Sequence, residues 1–317
     1  MNSILEGIYW RKWLKIAVLI LAVGFYASYA AQNFANIPTF QWSAAAIATG
    51  FMSVILVVFV TSISGVIWLF LLRDHGFRPS WQQTQVIFAI TQFGKYLPGN
   101  IGQYLGRVFI AREIGIPASV TANTMLIEIL WGVGAGAGLT LISLIFFVDS
   151  RALGFQFGPL ELALVIALLM FLPWFIVNLL NRFAPSLAKR LSGGGLIKAP
   201  RLITALVVAL IFLVNFGIMG VILKFQAVWF FDVTGGSIFQ LTCLFAVAWV
   251  AGYIVPGAPG GLGVREAMMV LVLSPVLGPG AATGLSLTLR LTTILGDAAA
   301  FAMGIIGRKY VAYNYVK

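Results

Sequence analysis

The chain has 317 residues, of which 61% are hydrophobic and 9% charged, with a net charge of +11 and a mean hydropathy of +1.00. Soluble domains carry about a quarter of their residues as charges, so this composition excludes a water-soluble domain of useful size and describes an integral membrane protein. The positive excess lies between apolar runs, which points to membrane topology and anionic lipid headgroups and away from nucleic acid.

The first apolar run, 13–31, follows Arg11, Lys12 and Lys15. Ser28-Tyr29-Ala30 resembles a cleavage site, but the run is long enough to span, and an uncleaved first helix is expected. Further runs follow at 44–72, 84–93, 119–148, 160–181, 202–223, 238–255, 268–277 and 283–307. Most exceed the roughly 18 residues of a membrane span. The stretches 81–112 and 238–280 differ: each is an apolar arm, a Pro/Gly break and a second arm.

Basic residues set the expected orientation. Arg11, Lys12 and Lys15 place the N-terminus in the cytoplasm, and Arg73 and Arg78 bring the chain back there after an uncharged outside loop at 32–43. The linker 182–201, with Arg182, Lys189, Arg190, Lys198 and Arg201, is also inside, as are Arg308, Lys309 and Lys317. Only Arg151 and Lys224 fall in outside loops. With these assignments, 81–112 starts and ends on the cytoplasmic side and 238–280 on the outside. The expected fold is therefore an all-α polytopic membrane protein of about six transmembrane helices plus two re-entrant helical hairpins. Eight full spans are the alternative.

The two broken stretches repeat. Gly94, Pro98, Gly99, Gly102 and Arg107 recur as Gly252, Pro256, Gly257, Gly260 and Arg265 at a constant offset of 158. Spans flank each copy, giving one transmembrane domain over 1–317 with a first half at 44–148, the basic linker 182–201 and a second half at 202–307. Opposite entry faces make this an inverted-topology repeat, as in transporters with a midplane site. Irregular backbone at membrane depth needs protein or a wet cavity around it. The second arm of each hairpin starts with free N–H groups that attract anions. Arg107 and Arg265, about two turns into those arms, add a forked donor suited to phosphate.

The segment PGNIG…R, then PGAPGGLGVREA at 256–267 and Leu289-Arg290-Leu291 in a late span, resembles the lysylphosphatidylglycerol flippase/synthase transmembrane-domain family, the membrane half of multiple peptide resistance factor proteins. The resemblance covers nearly the whole chain. It implies a bacterial or archaeal cytoplasmic-membrane protein that moves lipids with charged or glycosylated headgroups between leaflets. No soluble synthase domain accompanies the spans, so aminoacyl transfer is not expected. Stand-alone members resemble partners of glycosylation pathways that use polyprenyl-phosphate lipids.

The candidate headgroup-binding set is Lys95, Gly99, Asn100, Gly102, Arg107, Glu128, Gly257, Gly260, Gly261, Arg265, Glu266, Arg290 and Asp297. Within it, Arg107 has Glu113 or Glu128 as candidate ion-pair partner, and Arg265 has Glu266 or Asp297. Fixed structural pairs and groups that release the arginines to a lipid phosphate are equally open readings. Gly132, Gly134, Gly136 and Gly138 have small-xxx-small spacing for close helix packing. Gly193-Gly194-Gly195 reads as a flexible joint. Trp10, Trp13, Trp42, Trp81 and Trp229 read as interfacial anchors, and His75 as a surface residue. The single Cys243 excludes a disulfide framework, and with one histidine no metal or cofactor is expected.

The leading expectation is a lipid flippase or scramblase for an anionic or phosphate-bearing lipid, such as an aminoacyl-phospholipid or a polyprenyl-phosphate-linked lipid, and not an enzyme. Its partners are membrane lipids with phosphate headgroups, and a homo-oligomer or a partner enzyme of lipid or glycan synthesis is left open. The alternatives are a membrane-embedded glycosyltransferase-pathway enzyme or accessory subunit, and an ion-coupled carrier of a small anion. The 32–43 loop contains no acidic residue, which weakens the enzyme reading.

Overall fold

The structure is a computed structural model that describes residues 24, 27, 28, 31, 32, 36–97, 102–147, 159–255 and 259–315. Its helices are α1 (Ala44–Asp74), α2 (Trp81–Gln92), α3 (Gly102–Glu113), α4 (Ala118–Phe146), α5 (Pro159–Phe183), α6 (Pro185–Leu191), α7 (Leu202–Phe231), α8 (Ile238–Ile254), α9 (Val264–Leu277) and α10 (Pro279–Tyr315). No strand occurs among the described residues. The chain is an all-α, multi-pass membrane protein. Helices α1, α4, α7 and α10 are long and apolar enough to cross a membrane, and α5, at 25 residues, has the length to do so. The helix expected at 13–31 lies mostly outside the described residues.

Three helix starts carry serine caps, which supply partners to N–H groups that lipid cannot satisfy. Ser43 accepts from the Ala46 N–H at 3.1 Å and opens α1. Ser80 and Gln83 close a reciprocal capping box at α2. Ser237 accepts from the Gln240 N–H at 3.1 Å and opens α8.

The two broken stretches are helical hairpins. The first pairs α2 with α3, with arms of 12 residues each. The second pairs α8 with α9, with arms of 17 and 14 residues. At about 1.5 Å per residue each arm is shorter than the roughly 30 Å hydrocarbon layer. Packing between helices is reciprocal. Helix α1 lies against α7, α2 against α10, and α4 against α8. The long helix that closes each half thus supports the first arm of the other half's hairpin.

One core cluster joins α7, α8, α9 and α10 through Leu223, Leu241, Phe245, Leu273 and Leu285. A second joins α1, α4, α5 and α7 through Ile67, Leu71, Ile127, Val177 and Val208. A third seats α1 on the first hairpin through Trp68, Ile87, Phe88 and Ala111. The glycine series in α4 packs as its spacing suggests. A Cβ on Gly136 would stand 2.7 Å from Val250, and one on Gly132 3.0 Å from the Phe212 ring. Ile47, Phe51, Phe109 and Leu202 remain exposed, as an outer surface facing lipid requires.

Three local expectations change. Helix α7 runs on to Phe231, so Lys224 lies inside a helix instead of an outside loop, and its ammonium donates to the carbonyls of Thr234, Gly235 and Gly236. The linker expected to be a flexible joint is pinned. Asn181 holds both backbone groups of Ile197, at 2.7 and 3.0 Å, and Lys198 and the Arg201 N–H bind Asp74. Gly193 and Gly194 supply the positive φ that its turn requires. His75 is half-buried, with its Nδ1 at 2.8 Å from the Leu71 carbonyl. Of the tryptophan anchors, Trp42, Trp81 and Trp229 are exposed, and Trp10 and Trp13 lie outside the described residues.

Candidate functional site

A cavity of about 220 Å³ opens where the two hairpins meet between α1, α4, α7 and α10. It collects most of the ionisable residues singled out in the sequence: Lys95, Arg107, Glu128, Arg265, Arg290 and Asp297, with Gly260 and Gly261 in its wall. Gly102 and Glu266 do not line it. Gly99, Asn100 and Gly257 lie outside the described residues.

Arg107 sits on α3, 2% exposed. It binds Glu128 of α4 at 2.6 Å. Its guanidinium lies over the Phe88 ring at 4.3 Å and the Trp68 ring at 5.4 Å. Burial, a carboxylate and two aromatic faces fix this arginine in place. Of its two candidate partners, Glu128 is the one used; Glu113 pairs with Arg308 instead.

The second hairpin is built differently. Helix α9 starts at Val264, so Arg265 lies in its first turn, not two turns in as its repeat partner's position suggested. Glu266 accepts from the Gly263 N–H at 2.6 Å and caps that helix itself. The helix end expected to draw an anion is therefore already occupied by a carboxylate of its own chain. Glu266 also pairs with Arg290 at 3.3 Å, and Arg290 donates to the Gly260 carbonyl at 2.9 Å. Gly260 holds a left-handed conformation at φ 57°, which turns that carbonyl toward Arg290.

The third carboxylate, Asp297 of α10, takes Lys95 at 2.7 Å and the Tyr96 hydroxyl at 2.6 Å. This ties the tip of the first hairpin to α10. The Tyr96 ring in turn lies below Arg290 at 5.5 Å. Tyr104 and Tyr253 share a 2.7 Å hydrogen bond between the two hairpins, and Tyr253 stacks on Trp249 at 5.0 Å. Asn215 donates to Ser64 at 2.9 Å and joins α7 to α1 at the cavity wall.

Each of the three carboxylates therefore neutralises one cation. Arg265 has neither of its expected acidic partners, Glu266 or Asp297. Among the described residues it forms no ion pair or hydrogen bond, although Glu266 and Asp297 act on it through space; its guanidinium rests over Phe245 at 5.0 Å, and its Nε is buried without a partner. The stretches outside the described residues at the two hairpin tips, 98–101 and 256–258, carry no ionisable side chain. The cavity thus presents one unmatched positive charge against aromatic and polar walls.

The repeated glycines have a packing role. A Cβ on Gly94 would stand 2.6 Å from the Gly102 carbonyl carbon and the Gln103 nitrogen, so the first hairpin's arms cross backbone to backbone there. Gly252 faces the Cβ of Arg265 at 3.0 Å in the second hairpin. Gly102 thus belongs to the arm crossing and not to the cavity. No group of three or more His, Cys, Asp or Glu residues that could hold a metal ion occurs among the described residues.

Sequence reasoning missed Tyr96, Tyr104, Trp249, Tyr253, Ser64 and Asn215 as cavity residues. The aromatic and hydroxyl side chains of the hairpin arms were the available signal, but their common direction depends on how the arms pack.

A family model described as the lysylphosphatidylglycerol synthase TM region matches residues 12–300. No curated protein matches the chain. With the match covering most of its length, the chain belongs to that family.

Proposed function

We propose that this member of the lysylphosphatidylglycerol synthase TM-region family moves a phosphate-bearing anionic lipid between leaflets, as a flippase or scramblase and not as an enzyme. The observation that carries this reading is Arg265, a forked cation in a central cavity that forms no salt bridge among the described residues. Arginine at membrane depth costs about 2.5–3.5 kcal/mol on insertion scales and persists with a partner or a task. Its four neighbouring helices and two hairpins leave the task to a ligand. The phosphate meets Arg265 while the hydrocarbon chains stay in the bilayer.

The reading includes an inverted repeat of 44–148 and 202–307. Both hairpins re-enter from opposite faces, and both termini are cytoplasmic in a bacterial or archaeal membrane. Three features support it: the recurring glycines and arginine, arms too short to span, and the reciprocal packing of α2 on α10 and α4 on α8. The test is leaflet exchange of fluorescent phospholipids in liposomes holding the purified protein. Exchange by the wild type that Arg265→Ala abolishes, with unchanged thermal unfolding, is expected. Equal exchange by that variant removes the role of Arg265, and no exchange by folded wild-type protein removes the transport reading.

A further inference from the structure

We infer that the cavity selects lipids whose headgroup carries a single negative charge, that is, phosphodiesters, over phosphomonoesters and over cationic aminoacyl lipids. The inference rests on the transport reading above and adds a charge rule to it. Three cation–carboxylate pairs close within the cavity region: Arg107–Glu128 at 2.6 Å, Lys95–Asp297 at 2.7 Å and Arg290–Glu266 at 3.3 Å. Each is held by a second contact that has no need of a ligand. Arg107 is clamped by Phe88, Asp297 also takes Tyr96, and Glu266 caps its own helix. The carboxylates Asp297 and Glu266 are 2% and 6% exposed, so neither leaves its cation without being stranded in a dry site.

One phosphodiester charge on Arg265 makes the cavity neutral. A second negative charge on the ligand has no free cation to meet among the described residues, because the remaining three in the cavity are committed. Buried charge without a counterion is disfavoured in low dielectric. A lysyl-substituted phosphodiester has the opposite fault. Its two ammonium groups exceed its phosphate, and each carboxylate described around the cavity is already paired. Both glycerophospholipids and glycosylated prenyl phosphates contain the required phosphodiester. The chemistry they share is what the cavity reads.

The test uses the full chain in liposomes of zwitterionic lipid. Four fluorescent probes are compared: phosphatidylglycerol, a prenyl phosphate hexose diester, a prenyl monophosphate and lysylphosphatidylglycerol. Exchange at pH 7.5 at least tenfold faster for one or both diesters than for the other two supports the rule, and the faster diester names the source. A second measurement needs no variant. A phosphomonoester takes up its second proton near pH 6, so lowering the pH from about 7.5 to about 5.5 turns the monophosphate into a monoanion. Its exchange then rises at least fivefold relative to the diester in the same vesicles. A monophosphate preferred at pH 7.5, a lysyl lipid preferred, a flat pH response or equal exchange of all four overturns the charge rule while transport stands. Exchange of no probe by folded protein overturns both.

Discussion

The two hairpins carry the same five-residue pattern and use its arginine in opposite ways. In the first, Arg107 is sealed between Glu128, Phe88 and Trp68. In the second, Arg265 faces the cavity with only Phe245 beneath it. The difference lies in the partner helices. At the repeat's offset, Glu128 corresponds to Ser286, so the second half has no acid where the first half places one. Arg290 corresponds to Gly132 and Glu266 to Val108, so the second half's own ion pair has no counterpart in the first. The same five-residue pattern with unequal charges around it seals one arginine in an ion pair and leaves the other without an acidic partner among the described residues.

The largest expected effect comes from exchanging the two arginines' fates. Arg107→Ala leaves Glu128 facing a vacated, poorly hydrated site and lowers stability by about 3–5 kcal/mol, seen as a drop in unfolding temperature in detergent. Arg265→Ala strands no carboxylate and leaves the unfolding temperature within a degree or two while leaflet exchange is lost. Equal destabilisation by both variants would erase the distinction between the halves.

Next in size, Ser286→Asp gives the second half the acid it lacks. A carboxylate at that position pairs with Arg265 as Glu128 does with Arg107, and exchange is expected to fall at least tenfold in a protein that still folds. Unchanged exchange shows that 286 does not face Arg265 as the repeat requires.

The glycine crossings give a smaller contrast. Gly94→Ala forces a Cβ against backbone at 2.6 Å, where nothing can swing aside, and costs about 1–3 kcal/mol. Gly252→Ala meets a side-chain Cβ at 3.0 Å and costs less. Thermal unfolding of the two variants side by side settles the order.

The smallest effect separates the ends of α1 and α7. Helix α1 ends in a polar clamp of Asp74, His75, Lys198 and Arg201, whereas α7 ends in the rings of Phe230 and Phe231 packed tilted and edge-on against Phe40. Burial holds His75 below its ordinary value of 6.5, with the nearby Lys198 acting in the same direction and Leu71 and Asp74 opposing. The unfolded chain therefore binds the proton more readily than the folded one. Stability contributed by neutral His75 is present above pH 6.5 and declines as the pH falls below it. An unfolding temperature that drops between pH 7.5 and 5.5 in the wild type, and less in His75→Gln, is the expected result.

Much of this was legible in the sequence. Apolar run length and Pro/Gly breaks placed both hairpins and the starts of the long helices to within a few residues, because lipid forces every backbone group into helices, while α7 and α10 run on past their expected ends to Phe231 and Tyr315. Lys224 was misplaced because a single lysine interrupts the hydropathy of α7, while its long stem lets the ammonium reach the loop carbonyls. The linker was misread because its glycines signal freedom locally, and only the Asn181 and Asp74 contacts across the fold remove it. In the site, the charged residues were found and their pairing was not. Glu113 and Glu128 were both candidates for Arg107, and the packing of α3 on α4 decided for Glu128.

By itself, the sequence determined the class, the helices, the repeat and the set of charges, since each of these follows from composition and from residues near one another along the chain. Tertiary structure decided which charge remains unmatched. That depends on Glu266 turning back to its own helix start and to Arg290, and on Asp297 reaching Lys95 across about two hundred residues of chain. Ion pairs form between side chains that share a small volume, and only the packing of α3, α9 and α10 around one cavity brings these together and leaves Arg265 out.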